Sequence, residues 1–466
     1  MKKEISLGCL YFLLPLFFFL MISFSREYDI WFLFSHGRYL LAHGFPHIEM
    51  LTIHQDFHFV MQQWLSSVIF YSIYKGLGSI GIILLVGIVN IGILFVLYLL
   101  CKKISGNTYF SCLLASMIDL LLELNFIIPR PQIFSILCFL LVIYCLERKD
   151  KSVFFLPVIS LFLINFHASM WGMLFILCLP FVLEYFIKKN KAIYYLLANM
   201  ILSFLVGFIN PYGIEAMTYV IHSYGSSIIN SIVGEMHSFS LVGDSFVTYN
   251  STLLLLLVCS LAFCFWKKRE KLSIHMICLF LGLSLMAFLN LRNQSLFLIG
   301  AVPFLSIIFS REGKGTIPPK MILVLLFVLV GVFSYRAFTS QYEFRAKRLE
   351  KIVDYLEKNV PKDSILYNEF DDGAYLEYHG FRGYIDSRAE IFLKGNNQKY
   401  DVLDEYYHVL KGDIDFEKFI EKYHFQYFLV YKDSPIFHYL NGNSEIKEIF
   451  HHQDIIVFQN NMVYLK

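Results

Sequence analysis

Two arginines, Arg130 and Arg292, stand alone between apolar runs, while most other basic residues of the chain gather in clusters. A guanidinium in such a place is costly unless something anionic meets it. A phosphate would serve. So would lipid headgroups reached by snorkelling, or a carboxylate such as Glu123 or Glu235. The densest polar stretch comes earlier: Tyr28-Asp29-Ile30-Trp31, His36-Gly37-Arg38, Gly44-Phe45-Pro46-His47-Ile48-Glu49, Thr52 and Gln62-Gln63-Trp64-Leu65. Asp29 either caps a helix entering at Ile30 or offers a carboxylate for chemistry. Glu49 reads as a second acid, a metal ligand or a solvated loop charge. His36, one turn beyond Phe32, reads as a hydrogen-bonded structural histidine, with a ligand role as the sharper alternative. His167 and Asn210 fall at the ends of apolar runs, where helix-end hydrogen bonding competes with substrate contact. Glu235 lies in a polar segment and is a further candidate acid. Asp371-Asp372-Gly373 suits a turn. Asp386, Arg388 and Glu390 alternate as residues of one strand face do, placed to form a charge cluster or to contact a glycan.

The elements that must position these residues are mostly membrane-spanning. Of 466 residues, 57% are hydrophobic and 16% charged, and the mean hydropathy is +0.57. That is more apolar surface than one water-soluble core buries, so much of it must face lipid. A net charge of +2 gives no reason to expect a nucleic-acid partner. All nine cysteines lie in or beside apolar segments, without zinc or cluster spacing, and none follows residue 300. The C-terminal region must therefore hold together without disulfides. No P-loop and no Gx[ST]xG elbow is present, and no GxGxxG stands in a βαβ context, which argues against ATP, dinucleotide or α/β-hydrolase chemistry.

Runs long enough to cross a bilayer lie near 5–25, 78–101, 108–124, 131–147, 152–166, 170–187, 192–209, 250–266, 273–290, 294–310 and 320–338, about eleven spans. Lys2/Lys3, Lys102/Lys103, Arg148/Lys149/Lys151, Lys188/Lys189/Lys191, Lys267/Lys268/Arg269/Lys271 and Arg311/Lys314/Lys320 fall in every second loop. The positive-inside rule then puts the N-terminus in the cytoplasm and everything after the last span outside. A membrane domain over 1–339, with outer loops at 26–64 and 211–249, is expected to precede an extracytoplasmic α/β domain over 340–466. The short apolar stretch 65–74 reads as an interfacial helix with Trp64 and Tyr71 at headgroup depth. In the C-terminal domain a helix over Glu343–Lys358 should lead into strands at Ile365–Asn368, Tyr384–Asp386, Gln426–Tyr431 and Ile455–Gln459. Helices are expected near 398–411 and 415–423.

The order D-x-W, G-R, G-x-P-x-x-[acid]-x-x-T and W-L over Asp29–Leu65 resembles the first external loop of bacterial membrane glycosyltransferases of the GT-C superfamily. Arg130-Pro131-Gln132 with Phe134, Asn165-Phe166-His167, Asn210-Pro211-Tyr212-Gly213, and Arg292 with Phe297 and Pro303 extend the likeness. So do Asp372-Gly373-Ala374-Tyr375-Leu376 and Ile385-Asp386-Ser387-Arg388-Ala389-Glu390. Glu49 stands where that branch more usually carries aspartate, and Gln63 where it carries glutamate. The resemblance implies a GT-C-like membrane fold. It also implies transfer of a sugar from a polyprenyl-phosphate carrier to a glycan or lipid acceptor at the outer face, in cell-envelope polysaccharide or glycolipid assembly. Such a reaction needs a carboxylate to take the acceptor proton and cations or a divalent metal, Mg2+ or Mn2+, at the leaving phosphate. On the resemblance Asp29 and Glu49 take the catalytic or metal-binding parts, and Arg130, Arg292, His36, His167 and Glu235 the substrate contacts. Two other classes stay open. A transporter or flippase of a lipid-linked precursor would place ionisable groups in mid-span, where Asp119 and Glu123 are found. A catalytically inactive GT-C-like scaffold would keep the fold alone.

Overall fold

A computed structural model describes residues 13–20, 30–223, 225–243, 245–268, 272–308 and 345–461. Asp29 and the apolar run at 320–338 lie outside the described residues. The described part is mostly helical and closes with a five-stranded sheet. Its compact units are not consecutive in sequence. One takes residues 1–25, 77–217 and 233–340, and the other takes 26–76, 218–232 and 341–466.

The first unit is built of apolar helices, including Thr108–Asn125, Gln132–Arg148, Leu156–Phe166, Met173–Ile187, Ala192–Val206, Ser245–Lys268, Ile274–Leu289 and Gln294–Ile308. Three described helical segments, Trp64–Ser105, Thr108–Asn125 and Ala168–Ile187, are long and apolar enough to cross a membrane, and five shorter apolar helices accompany them. Leu84, Ile88, Ile91 and Phe95 are exposed on the first of these, as are Leu281, Leu285 and Leu289 on the 274–289 helix. A row of bare apolar side chains on helices whose backbone is internally satisfied suits lipid, not water. The inward faces pack closely, and Gly300 stands where a Cβ would fall 2.2 Å from Leu283 Cδ1.

A break at Gly78 (φ 60°, ψ −153°) divides the helical segment Trp64–Ser105 into two helices, so the stretch 65–74 lies in a helix of its own ahead of the apolar run that begins near 78. A glycine takes this conformation without a Cβ clash, and the sequence's division into two elements stands.

In the second unit, β1 (Ile365–Tyr367) pairs in parallel with β2 (Arg382–Gly383) and with β3 (Tyr427–Tyr431). β5 (Ile455–Asn460) pairs antiparallel with β3 and with β4 (Ile446–His452), giving the order β2-β1-β3-β5-β4. β3 and β5 supply Leu429, Val430, Ile456 and Val457 to the core, and the 345–359 helix adds Leu349, Ile352, Val353 and Leu356. Asp401 and Asp415 cap the helices Val402–Lys411 and Phe416–Tyr423 through the backbone N–H groups of Asp404 and Lys418.

Two sequence expectations change here. β4 carries Lys447, Glu448, His451 and His452, a polar edge strand without apolar alternation, so nothing in its pattern announces it. Residues 386–390 are not a strand. The chain leaves β2 and enters a 3-10 turn over Ala389–Phe392, so Asp386, Arg388 and Glu390 do not share a strand face.

Candidate functional site

In the first unit, Arg130 and Arg292 converge on one carboxylate. Arg130 precedes the 132–148 helix, whose first turn opens with Pro131. Arg292 sits in the short turn Leu291–Asn293, where Asn290 accepts from its backbone N–H at 3.0 Å. Glu235 lies in the turn Gly234–Met236. The residues just after that turn are tied to the end of the 274–289 helix by Phe239 N–H donating to Phe288 O (2.9 Å) and to the Leu291–Asn293 turn by Leu291 N–H donating to His237 O (3.0 Å).

Arg130 Nη1 donates to Glu235 Oε1 at 3.0 Å, and Arg292 Nη1 stands 3.7 Å from the same oxygen. All three side chains keep about a quarter of their surface exposed. Burial works to raise the Glu235 pKa, but the two guanidiniums outweigh it and hold the carboxyl below its usual range. Glu235 is thus ionised across physiological pH.

Arg292 is poorly occupied. Among the described residues its side chain makes no N–H···O hydrogen bond; its Nη1 meets only Met236 Sδ, at 3.9 Å, and its Nε is buried without a partner. His167 is fully buried behind this site, its Nδ1 2.8 Å from Ser135 Oγ on the helix that follows Arg130. Of the sequence-selected residues, then, Arg130, Glu235 and Arg292 meet, and His167 supports the neighbouring helix. Asn210 folds back on its own turn, donating to Gly207 O and Gly213 O.

In the second unit a different arginine gathers three carboxylates. Arg388 grips Glu49 with Nη1 to Oε2 at 3.0 Å and Nη2 to Oε1 at 3.2 Å. It grips Asp386 through Nε at 2.9 and 3.1 Å and through Nη2. Its Nη2 also lies 3.5 Å from Glu377 Oε2, and its Nη1 donates to His36 Nε2 at 2.9 Å. Every one of these side chains is buried. Because His36 accepts through Nε2, its proton sits on Nδ1 and the ring is neutral. Burial first, and the Arg388 charge second, push its pKa well below the ordinary value. Burial and the Asp386 charge push the Glu377 carboxyl well above its usual range, so it holds a proton.

Sequence motifs find their reasons here. A Cβ on Gly37 would fall 2.3 Å from Ser67 O and 2.6 Å from Tyr71 Cβ, and one on Gly373 would fall 2.0 Å from Ile385 O. Each glycine lets two chain segments touch so that His36 and Glu377 reach Arg388.

The hub changes the reading of Glu49. Both of its oxygens bind Arg388, and Oε1 also accepts from the N–H groups of Leu51 (2.7 Å) and Thr52 (3.2 Å). A carboxylate so occupied and fully buried has no lone pair directed at an acceptor hydroxyl or a metal ion. His36 likewise contacts Arg388, not a ligand. Among the described residues no three His, Cys, Asp or Glu side chains are arranged to hold a metal. Glu49, as a donor already neutralised by a guanidinium, does not fit one. The charge cluster expected of Asp386 and Arg388 is found as a direct pair, though not on a strand, whereas Glu377, the protonated member of the hub, carries no motif that singles it out.

No family model matches the chain, and no curated protein sequence does. Solved structures do. The apo oligosaccharyltransferase of Archaeoglobus fulgidus superposes with a TM-score of 0.59 at 10% identity, over 92% of this chain and 69% of that one. The same enzyme tethered by a disulfide to an acceptor peptide containing the NVT sequon gives 0.61 at 10% identity, over 90% and 69%. The chain is similar in fold to an oligosaccharyltransferase. At this identity the likeness is one of fold alone. The likeness takes in nearly all of the chain, apolar helices and terminal sheet domain together.

Proposed function

We propose that the protein is a membrane glycosyltransferase that moves a sugar from a polyprenyl-phosphate carrier to a glycan or lipid acceptor at the outer face of the membrane. The observation that carries this reading is the convergence of Arg130 and Arg292, from distant parts of the chain, on a partly open site in a fold of the oligosaccharyltransferase kind. About eleven spans, with the N-terminus cytoplasmic and residues 340–466 outside, give the chain this orientation. The charge alternation along the sequence supports it.

In the reaction the acceptor oxygen attacks the anomeric carbon, the bond from that carbon to the carrier phosphate breaks, and the sugar configuration inverts. Asp29 takes the acceptor proton. The electron pair of the broken bond stays on the phosphate, where Arg130 and Arg292 stabilise it. Glu49 and His36 hold the external loop to the sheet domain through Arg388 and do not touch substrate. His167 orients Ser135 behind the arginines.

The test is a transfer assay on the full chain in liposomes against a panel of polyprenyl-phosphate sugars. One or more donors should support transfer, and Asp29→Asn should abolish it without changing membrane insertion. Full activity in Asp29→Asn would remove that residue from the mechanism.

A further inference from the structure

We propose that His275 is a proton-dependent latch that joins the ends of three apolar helices and loses its hold when the ring gives up its second proton. The latch lies apart from the arginine site and is independent of the transfer reaction. His275 stands in the first turn of the 274–289 helix, Glu147 in the last turn of the 132–148 helix and Glu184 in the last turn of the 173–187 helix. His275 Nδ1 lies 2.6 Å from Glu184 Oε2 and Nε2 lies 2.8 Å from Glu147 Oε1, and all three side chains are buried. Glu184 Oε2 also accepts the His275 backbone N–H at 3.0 Å, so a carboxylate of one helix caps the N-terminus of another. The 132–148 helix begins just after Arg130 and the 274–289 helix ends just before Arg292, so two of the latched helices lead at their other ends to the arginine site. The latched ends carry Arg148/Lys149/Lys151 and Lys188/Lys189/Lys191, which the orientation proposed above turns to the cytoplasm.

A neutral imidazole has one N–H and can donate to only one of the two carboxylates. Its bare nitrogen then faces the lone pairs of the other in a dry site, where such a contact is expensive. An imidazolium donates to both. The proton between Nε2 and Glu147 belongs on the ring, because imidazole holds a proton more tightly than a carboxylate by about two pH units. Phe181 stacks on the ring at 4.3 Å and 20° and fixes its plane. Among the described residues the other charged or titratable groups here are Lys188 and Lys149, with Nζ 2.9 and 3.9 Å from Glu184 Oε1, and Tyr185, which feels both carboxylates. Ser273 Oγ, 3.2 Å from Nε2, does not displace the closer Glu147 oxygen. Loss of the ring proton leaves a buried carboxylate against a lone pair, so the hold is complete while the ring is doubly protonated and is lost as the pH rises.

Solid-state 15N spectra of the full chain, labelled at histidine and reconstituted in liposomes, read the ring directly, with His275 assigned by the signal missing from His275→Gln. Both ring nitrogens should be protonated at about pH 7, and a ring with one bare nitrogen overturns the latch. Hydrogen exchange on the same preparation, corrected for base catalysis, reads the hold. Protection at residues 145–150, 184–189 and 274–278 should fall at least about tenfold in wild type between about pH 6.5 and 10, and should already be low at the acid end in His275→Gln. Glu147→Gln, whose amide oxygen still accepts from Nε2–H, should lose protection at a lower pH than wild type, because one of the charges that keep the proton on the ring is gone. This variant carries the test even where His275→Gln does not fold. A Glu147→Gln profile that coincides with wild type overturns the proposal.

Discussion

The two arginine sites differ in how fully they are occupied. Arg388 is buried among Glu49, Asp386, Glu377 and His36, and its guanidinium is saturated by their oxygens and nitrogen. Arg292 is partly open, shares one distant carboxylate oxygen with Arg130, and has its Nε buried without a partner. A saturated, dry arginine has no capacity left for a ligand and fixes chain segments to one another. An under-occupied, half-open arginine holds binding capacity in reserve. The difference separates a structural hub from the proposed substrate site more cleanly than residue type does, since both contain arginine and glutamate.

The comparison can be broken most forcefully at the hub. Arg388→Ala leaves Glu49 and Asp386 buried without their counter-ion, and breaking a buried pair in this way costs about 3–5 kcal/mol. The melting temperature of the purified protein should fall sharply. Hydrogen exchange should rise together at residues 49–59 and 377–388, because both segments depend on the same guanidinium. Unchanged melting would mean that the hub does not hold the segment 49–59.

A smaller effect concerns acid. His36 and His54 are buried and neutral, and burial lowers the His54 pKa to about 4 and that of His36 well below 6.5. In both the folded pKa is depressed, so the unfolded chain binds more protons at acid pH. Stability is fully present above about pH 6.5 and falls as the pH drops below it, by about 1.4 kcal/mol per pH unit for each group. His36→Gln, which keeps an acceptor for Arg388 Nη1, should remove one group's share of that slope between pH 6.5 and 5. An identical slope in the variant would show that His36 titrates normally.

Which of these features the sequence makes visible follows from solvent. Arg130 and Arg292 stand out because a bilayer penalises an isolated charge, and that penalty is legible without coordinates. The helices at 402–411 and 416–423 are announced by Asp401 and Asp415 at their caps. The hub is not legible in this way. Glu49 and Arg388 are 339 residues apart, and an ion pair of that separation leaves no local pattern. Glu49 therefore reads as a reactive acid until Arg388 is seen holding it. The joining of residues 26–76 and 218–232 with the C-terminal domain is hidden for the same reason. It rests on contacts such as Ile53 N–H to Gly383 O (3.0 Å) and Asn396 Nδ2–H to Tyr219 O (3.0 Å).

The smallest expected change in stability belongs to Arg292→Gln, since a partly exposed ion pair at 3.7 Å contributes within about 0.5 kcal/mol. The same substitution should have the greatest consequence for function. The direct measurement is transfer from the polyprenyl-phosphate sugar that wild type uses, made on Arg292→Gln in liposomes beside its melting temperature. A protein that melts as wild type does but transfers at least about a hundredfold more slowly is the predicted result, as expected for loss of a charge-stabilising group at a leaving phosphate. Wild-type transfer by Arg292→Gln would contradict the assignment of this site to the carrier phosphate.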